Sequence, residues 1–375
     1  MSIPKLRVLF ICSWYPSREN PHLGNFIQRH AVAVASIAEV TVIAAVESDS
    51  DQIELTPNNP FTEVVAYYTK KLPFWSYYAA LRKAYQYVST NSSFDIIHVN
   101  VAYPAGVIAL RLKKPYVVTE HFTGYLPASR FQWNPWQKWI AKKVLGKADL
   151  VLPVSQNLGH GLQSFEPSVK WKKVSNVVQA HTFYPAEKLP EVFTFLHIST
   201  LNEETKNING LLQAFKKLDE QGVVFKLKIG GDGDLYELDK QLKQSGISEG
   251  KVETFGAQPS KEIARLMREA HVFVLASHVE NQPCVILEAL CSGIPVVSTR
   301  VGGIHEEITE KNGILVTPDH CDELAEALSL IQQNYAQYNR KEIADTARKS
   351  YSYEAVATTL KDIYLNVLNE DARGL

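Results

Sequence analysis

Short, unbroken apolar runs alternate along the chain with longer stretches whose apolar positions recur every three or four residues. Runs of four to six apolar residues predict strands buried on both faces of a parallel sheet, and the amphipathic stretches predict helices that cover it. In the first half, strands are predicted over 8–12, 40–45, 96–99, 116–119 and 150–154, with helices over 25–38, 77–88, 106–112 and 136–145. The alternation lapses around 179–191, where Pro185 and Pro190 mark a linker. A second series follows, with strands over 193–198, 225–229, 252–255, 272–276 and 295–298. Helical stretches such as 208–221 and 261–269 separate them. Residues 353–368 read as one amphipathic helix. This is the α/β pattern of two doubly wound domains, 1–185 and 186–350, with a tail over 351–375.

The length of 375 residues suits two cores, and a hydrophobic content of 45% fills them without disulfides or metals. Cys12, Cys284, Cys291 and Cys321 show no paired metal-ligand spacing and point to a reducing compartment. Residues 5–12 read as a buried first strand rather than a leader, and no run reaches the ~18 apolar residues of a membrane span. A soluble, cytoplasmic protein is expected.

The net charge of −1 hides an asymmetry: residues 1–185 carry 19 Lys+Arg against 11 Asp+Glu, and all six tryptophans lie there. A basic, aromatic half suits a saccharide or lipid-linked acceptor, and peripheral contact with the inner face of a membrane, but no nucleic acid. Lys138, Lys142 and Lys143 alternate with Trp136, Trp139 and Ile140, the mixture found in interfacial helices. Core packing of Trp139 and Ile140 onto the sheet is nevertheless the favoured expectation.

The richest segment begins at the strand 272–276, which runs into the polar loop 277–282 and then Pro283, a residue suited to the first turn of a helix. Cys284 and Glu288 are four apart and share a face of that helix. Its N-terminus offers unpaired N–H groups and partial positive charge to a phosphate. Glu280 stands just outside this anion site and Glu288 one turn inside. The two carboxylates can meet sugar hydroxyls on one side of a diphosphate and ribose hydroxyls on the other.

Ser277-His278-Val279-Glu280, the seven-residue gap to Glu288-Ala289-Leu290, Gly293-Ile294-Pro295-Val296-Val297 and Gly302-Gly303 together resemble the signature of family-4 retaining glycosyltransferases with the GT-B fold. That resemblance implies two Rossmann-like domains with a donor/acceptor cleft between them and a last helix crossing back to the first domain. It implies catalytic roles for Glu280 on the sugar hydroxyls, for Lys206 on the diphosphate and for His121, which follows strand 116–119, near the reacting carbon. Donor-binding positions are implied at Glu288, Gly24, Asn281, Pro283, Cys284, Val285, Gly231 and Gly256, the last beside the base. Lys206-Asn207 matches the family's lysine, but Thr200 stands where the family has an arginine, in a loop one residue longer. Glu120 is a further candidate for orienting His121, and His98 for lining the acceptor side.

The expected activity is transfer of a sugar from a UDP- or GDP-linked donor to a hydroxyl acceptor with retention of configuration, without cofactor or metal. A GT-B nucleotide-sugar epimerase, or a catalytically silent donor-binding subunit favoured by Thr200, remain the alternatives. No Gly-x-Gly-x-x-Gly follows the first strand, which argues against a dinucleotide oxidoreductase.

Overall fold

The computed structural model describes residues 5–56, 60–90, 92–127 and 129–373. Two compact units emerge, one made of Met1–Val177 with Tyr353–Leu375 and the other of Val178–Ser352.

In the first unit, β1 (Arg7–Cys12), β2 (Glu39–Glu47), β3 (Gln52–Thr56), β4 (Thr62–Tyr68), β5 (Ile96–Asn100), β6 (Tyr116–Glu120) and β7 (Leu150–Pro153) form one sheet in the order β3-β4-β2-β1-β5-β6-β7. All neighbours are parallel except the edge pair β3–β4. The run Val8–Cys12 forms the middle of this sheet because both of its faces find apolar partners. Leu9 and Ile11 enter one core, and Val8, Phe10 and Cys12 enter the other. Helices α1 (Asn25–Ala35), α2 (Pro73–Ser89), α3 (Pro135–Gly146) and α4 (Gln156–Phe165) accompany it.

The sequence expectation missed β3 and β4. β3 is a short edge strand whose two apolar residues, Ile53 and Leu55, both stay exposed, and β4 carries Glu63 within its buried run. That carboxylate is satisfied by the Tyr15 hydroxyl and by Gln28 Nε2 at 2.9 Å. The helix expected over 106–112 is instead two 3₁₀ turns, Ala105–Val107 and Ala109–Arg111. Gly106 lies so close to Val144 that a Cβ there would sit 2.5 Å from its methyl carbon.

In the second unit, β8 (Thr194–Ser199), β9 (Lys226–Gly231), β10 (Val252–Phe255), β11 (Val272–Leu275), β12 (Val296–Thr299) and β13 (Gly313–Val316) form a wholly parallel sheet ordered β10-β9-β8-β11-β12-β13. Strand order reverses between β8 and β11, the place where ligands collect in doubly wound sheets. The connecting helices are α5 (Glu203–Lys206), α6 (Ile208–Glu220), α7 (Leu235–Ser245), α8 (Ser260–Arg268), α9 (Cys284–Cys291), α10 (Cys321–Gln333) and α11 (Arg340–Tyr351). Residues of α6, α7 and α10 fill one core, and those of α8, α9 and α11 the other.

The last helix, α12 (Tyr353–Arg373), belongs to the first unit, where Val356, Leu360, Ile363, Tyr364 and Val367 pack into the core shared with α1. Here the expectation for His98 changes. Its side chain is fully buried, with Nδ1 2.6 Å from the Tyr364 hydroxyl and Nε2 2.6 Å from Thr119 Oγ1. It ties β5 to α12 and β6 and lines no surface. Among the described residues, no helix is long and apolar enough to cross a membrane.

Candidate functional site

Lys206 is the last residue of α5, a single turn that Asn202 caps by accepting the Thr205 N–H at 3.1 Å. Two contacts bind this turn to the loop after β11: His278 donates its N–H to Thr205 O at 2.9 Å, and its Nδ1 lies 3.0 Å from Glu204 O. The result is that Lys206 Nζ pairs with Glu280 Oε1, the oxygen that also accepts the Ser277 hydroxyl at 2.8 Å. Glu280 is only 9% exposed, so its charge is met by an ammonium and a hydroxyl rather than by bulk water. The sequence expectation gave Lys206 to a diphosphate and Glu280 to a sugar. In the structure the two neutralise each other.

The Glu280 loop rests on a glycine. Gly302 has φ +52°, and a Cβ there would come within 1.8 Å of Glu280 O. Gly303 then donates its N–H to Asn281 O at 2.8 Å. One residue on, Gln282 Nε2 donates to Glu307 Oε1 at 2.7 Å, and the Tyr351 hydroxyl donates to the other oxygen of that carboxylate. Ser277, Gly302 and the Gln282–Glu307–Tyr351 chain are supports that motif spacing alone does not single out. They become visible only when β12 and α11 lie beside the loop.

Pro283 occupies the cap position of α9 rather than its first turn, with ψ 119° and no side-chain cap. Cys284 and Val285 therefore supply the first N–H groups of the helix, and Glu288 follows one turn in, buried at 4% exposure. Asn281 is buried beside this helix start.

The remaining positions that the sequence expectation gave to the donor lie at neighbouring strand ends. Gly231 pairs with Ser199 across β8 and β9, and a Cβ on it would meet Ser199 O at 1.7 Å. Thr200 is exposed, and its carbonyl packs where a Cβ on Gly233 would stand. Gly256 follows β10 and meets only the tip of Leu235. His197, wholly buried between Val274 O and Ser199 Oγ, is pushed down to about 4 by burial, so it is neutral at pH 7.

The first unit holds His121 and Gly24 in one neighbourhood. Gly24 precedes α1 with φ +72°, and a Cβ there would strike Trp14 C and O at 2.7 Å. The Trp14 ring meets Phe26 edge-on, and the Phe26 ring lies 4.5 Å from that of His121. Burial, then the nearby His30 and His98, holds the His121 imidazole well below its usual pKa and hence neutral. Glu120 holds the backbone of this residue. Its carboxylate accepts the N–H groups of His121 and Phe122 on one oxygen and that of Ala102 on the other, all at 2.9 Å. Complete burial nevertheless raises its pKa to about 7. Among the described residues, no group of three or more His, Cys, Asp or Glu side chains is placed to hold a metal ion.

Residues 184–350 match the family described as glycosyl transferases group 1, and residues 27–184 match glycosyltransferase family 4. The chain is similar to N-acetyl-alpha-D-glucosaminyl L-malate synthase of Bacillus anthracis, at 25% identity over 85% of this chain and 87% of that one. In fold it resembles sucrose-phosphate synthase from Thermosynechococcus elongatus, with TM-score 0.79 and 18% identity over 97% of this chain and 99% of that one. It also resembles HepE of Anabaena, solved in complex with UDP and glucose, with TM-score 0.72 and 19% identity over 96% and 99% of the two chains. Two parallel Rossmann-like sheets, with these matches running across both, place the chain among the family-4, group 1 retaining glycosyltransferases of GT-B fold.

Proposed function

We propose that this glycosyltransferase draws its sugar from a UDP-linked donor and passes it to a hydroxyl of a glycan or lipid-linked saccharide at the inner face of a membrane. The observation that carries the donor reading is the grouping of Lys206, Glu280 and Ser277 beside the N-terminus of α9, with Glu288 buried one turn along. HepE, a fold neighbour, binds UDP and glucose.

In this reading the donor enters by dividing the Lys206–Glu280 pair. Lys206 and the Cys284 and Val285 N–H groups take the diphosphate, Glu280 takes sugar hydroxyls, and Glu288 takes the ribose. Positive charge at the diphosphate stabilises the leaving group as its bond to the anomeric carbon breaks. With Thr200 in the family's arginine position, Lys206 carries more of that load. The departing phosphate oxygen takes the acceptor proton on the face where the new bond forms, which retains configuration. Asn281, Pro283, Gly231, Gly256 and Gly24 shape the donor's surroundings through backbone. His121, a neutral imidazole, offers a hydrogen bond to the sugar.

Thermal unfolding with UDP-, GDP- and ADP-sugars and the free nucleotides tests this, on wild type and Glu288→Ala. A ligand at 100 times its Kd stabilises by about 2.7 kcal/mol. A shift with the UDP series that Glu288→Ala weakens is expected. Absence of a shift with every nucleotide overturns the donor assignment.

A further inference from the structure

On the helix that mixes lysines with tryptophans, Ile140 packs into the core as the sequence suggested, but Trp139 does not. On α3, Ile140, Val144 and Leu145 enter the core, whereas Trp136 is 51% exposed and Trp139 53% exposed. Asn134 fixes the start of the helix by accepting the Trp136 N–H at 2.9 Å. The two indoles stack, with ring centroids 5.2 Å apart and planes at 17°. Their strip continues onto α2: the Phe74 ring packs edge-on against Trp136 at 6.3 Å and against Trp75 at 5.6 Å. Trp75 and the neighbouring Leu72 are 60% and 62% exposed. Four large apolar side chains, each more than half in water, thus form one surface on a rigid base.

Positive charge dominates around this strip, although Lys70 pairs with Glu47 at 3.0 Å and Lys142 with Glu166 at 3.6 Å. From Lys70 to Lys147 the chain carries twelve lysines and arginines and only two carboxylates, Asp95 and Glu120. Glu120 is fully buried, and Asp95 pairs with Arg7 at 3.1 Å. Lys71 adjoins Leu72, and Lys143 lies one turn beyond Trp139 on the same helix face. Arg111 caps the Tyr78 ring, which stacks on Phe74.

We propose that this strip, from Leu72 and Trp75 to Trp136 and Trp139, docks the first unit on an anionic bilayer. Indoles settle at the headgroup level because one edge is polar and the body apolar, and the surrounding cations draw in anionic lipid. The pairing of half-exposed tryptophans with a surface so rich in cations favours lipid over a neutral glycan, which would need stacking but no charge. The proposal rests on the membrane-side acceptor reading above and gives it a location.

The test is co-sedimentation of the full chain with vesicles containing about one-third phosphatidylglycerol, and with purely zwitterionic vesicles, at low and high salt. Parallel samples carry Trp136→Ser with Trp139→Ser, and Lys71→Glu with Lys143→Glu. Binding to the anionic vesicles alone, weakened by salt, is expected. Each cation facing the lipid contributes about fivefold in affinity, so the lysine pair should cost roughly 25-fold or more, and the tryptophan pair about tenfold. The UDP thermal shift is measured on every sample. Vesicle binding without a UDP shift would sink the donor assignment and leave the docking surface standing. A UDP shift without vesicle binding, binding untouched by either variant, or retention on polysaccharide instead of vesicles overturns the docking surface alone.

Discussion

Lys206 closes an ion pair on Glu280, 74 residues further along the chain, at the carboxylate oxygen that Ser277 also occupies. The charges of this pair are therefore matched within the chain, and in the proposed reading a donor has to divide them. Lys206→Ala should lower turnover of a UDP-sugar by roughly 10², the effect of losing one preorganised donor to a developing anion. Glu280→Gln should weaken turnover as well, but the two losses should not add. Removing either partner already releases the other, so a double-mutant cycle on turnover should show about 1–3 kcal/mol of coupling. Strict additivity would mean that the pair is incidental to the reaction.

Gly302 carries the Glu280 loop at contact distance, and alanine there has nowhere to put its Cβ. Gly302→Ala should leave a folded protein that no longer responds to UDP in a thermal-shift titration. Gly222 is the control. It has φ +73°, and a Cβ added to it would meet nothing within 4 Å. Gly222→Ala should cost only about 1 kcal/mol of left-handed backbone strain and keep the UDP response. Equal nucleotide responses in the two variants would contradict the bracing role of Gly302.

These residues also mark how far the sequence could be read. The buried runs around Leu9, Val42 and Val274 announced parallel strands, because a strand covered on both faces must be apolar throughout. Glu280 and Glu288 stood out because eight residues separate a loop position from a point one turn inside a helix. Partners set by tertiary contact left no such trace. Nothing in the spacing of Ser277, Lys206 and Glu280 says that a lysine will pair with the carboxylate. Gln282 meets Glu307 only because β12 lies beside β11. Trp139 and Ile140 adjoin in sequence yet part at the core boundary. The helical turn decides that division, and residue type does not reveal it.

Glu120 predicts a distinctive pH response. Burial raises its pKa to about 7, against an ordinary 4.5, although three backbone N–H groups bind the carboxylate. Between those values the native protein holds a proton that the unfolded chain has released, so this group's contribution falls as pH rises from about 4.5 to about 7 and is level beyond. The span is on the order of 3 kcal/mol. Buried histidines oppose it, since His197 and His271, both pushed down to about 4, weaken the fold as pH falls from 6.5. The difference between wild type and Glu120→Gln isolates the carboxyl. In urea denaturation at a series of pH values, wild type's advantage should shrink steadily across that window. A constant difference would show that Glu120 titrates normally.

The His98–Tyr364 contact tests whether α12 is an integral part of the first unit. The two groups lie 2.6 Å apart and wholly buried, and Thr119 occupies the other imidazole nitrogen at the same distance. Burial drives the His98 pKa well below its usual value, so a neutral ring must donate to one neighbour and accept from the other. Tyr364→Phe keeps the ring packing and deletes one hydroxyl, leaving a buried nitrogen unsatisfied at a cost of about 1–3 kcal/mol. Thr119→Val does the same on the opposite side. Because a neutral imidazole can turn its one proton toward either neighbour, the two substitutions share a single hydrogen-bond chain, and their combined cost should differ from the sum of the separate costs. Urea midpoints of the four proteins read this directly. A Tyr364→Phe midpoint equal to wild type's would mean that α12 is held by its apolar face alone, through Leu360, Ile363 and Val367.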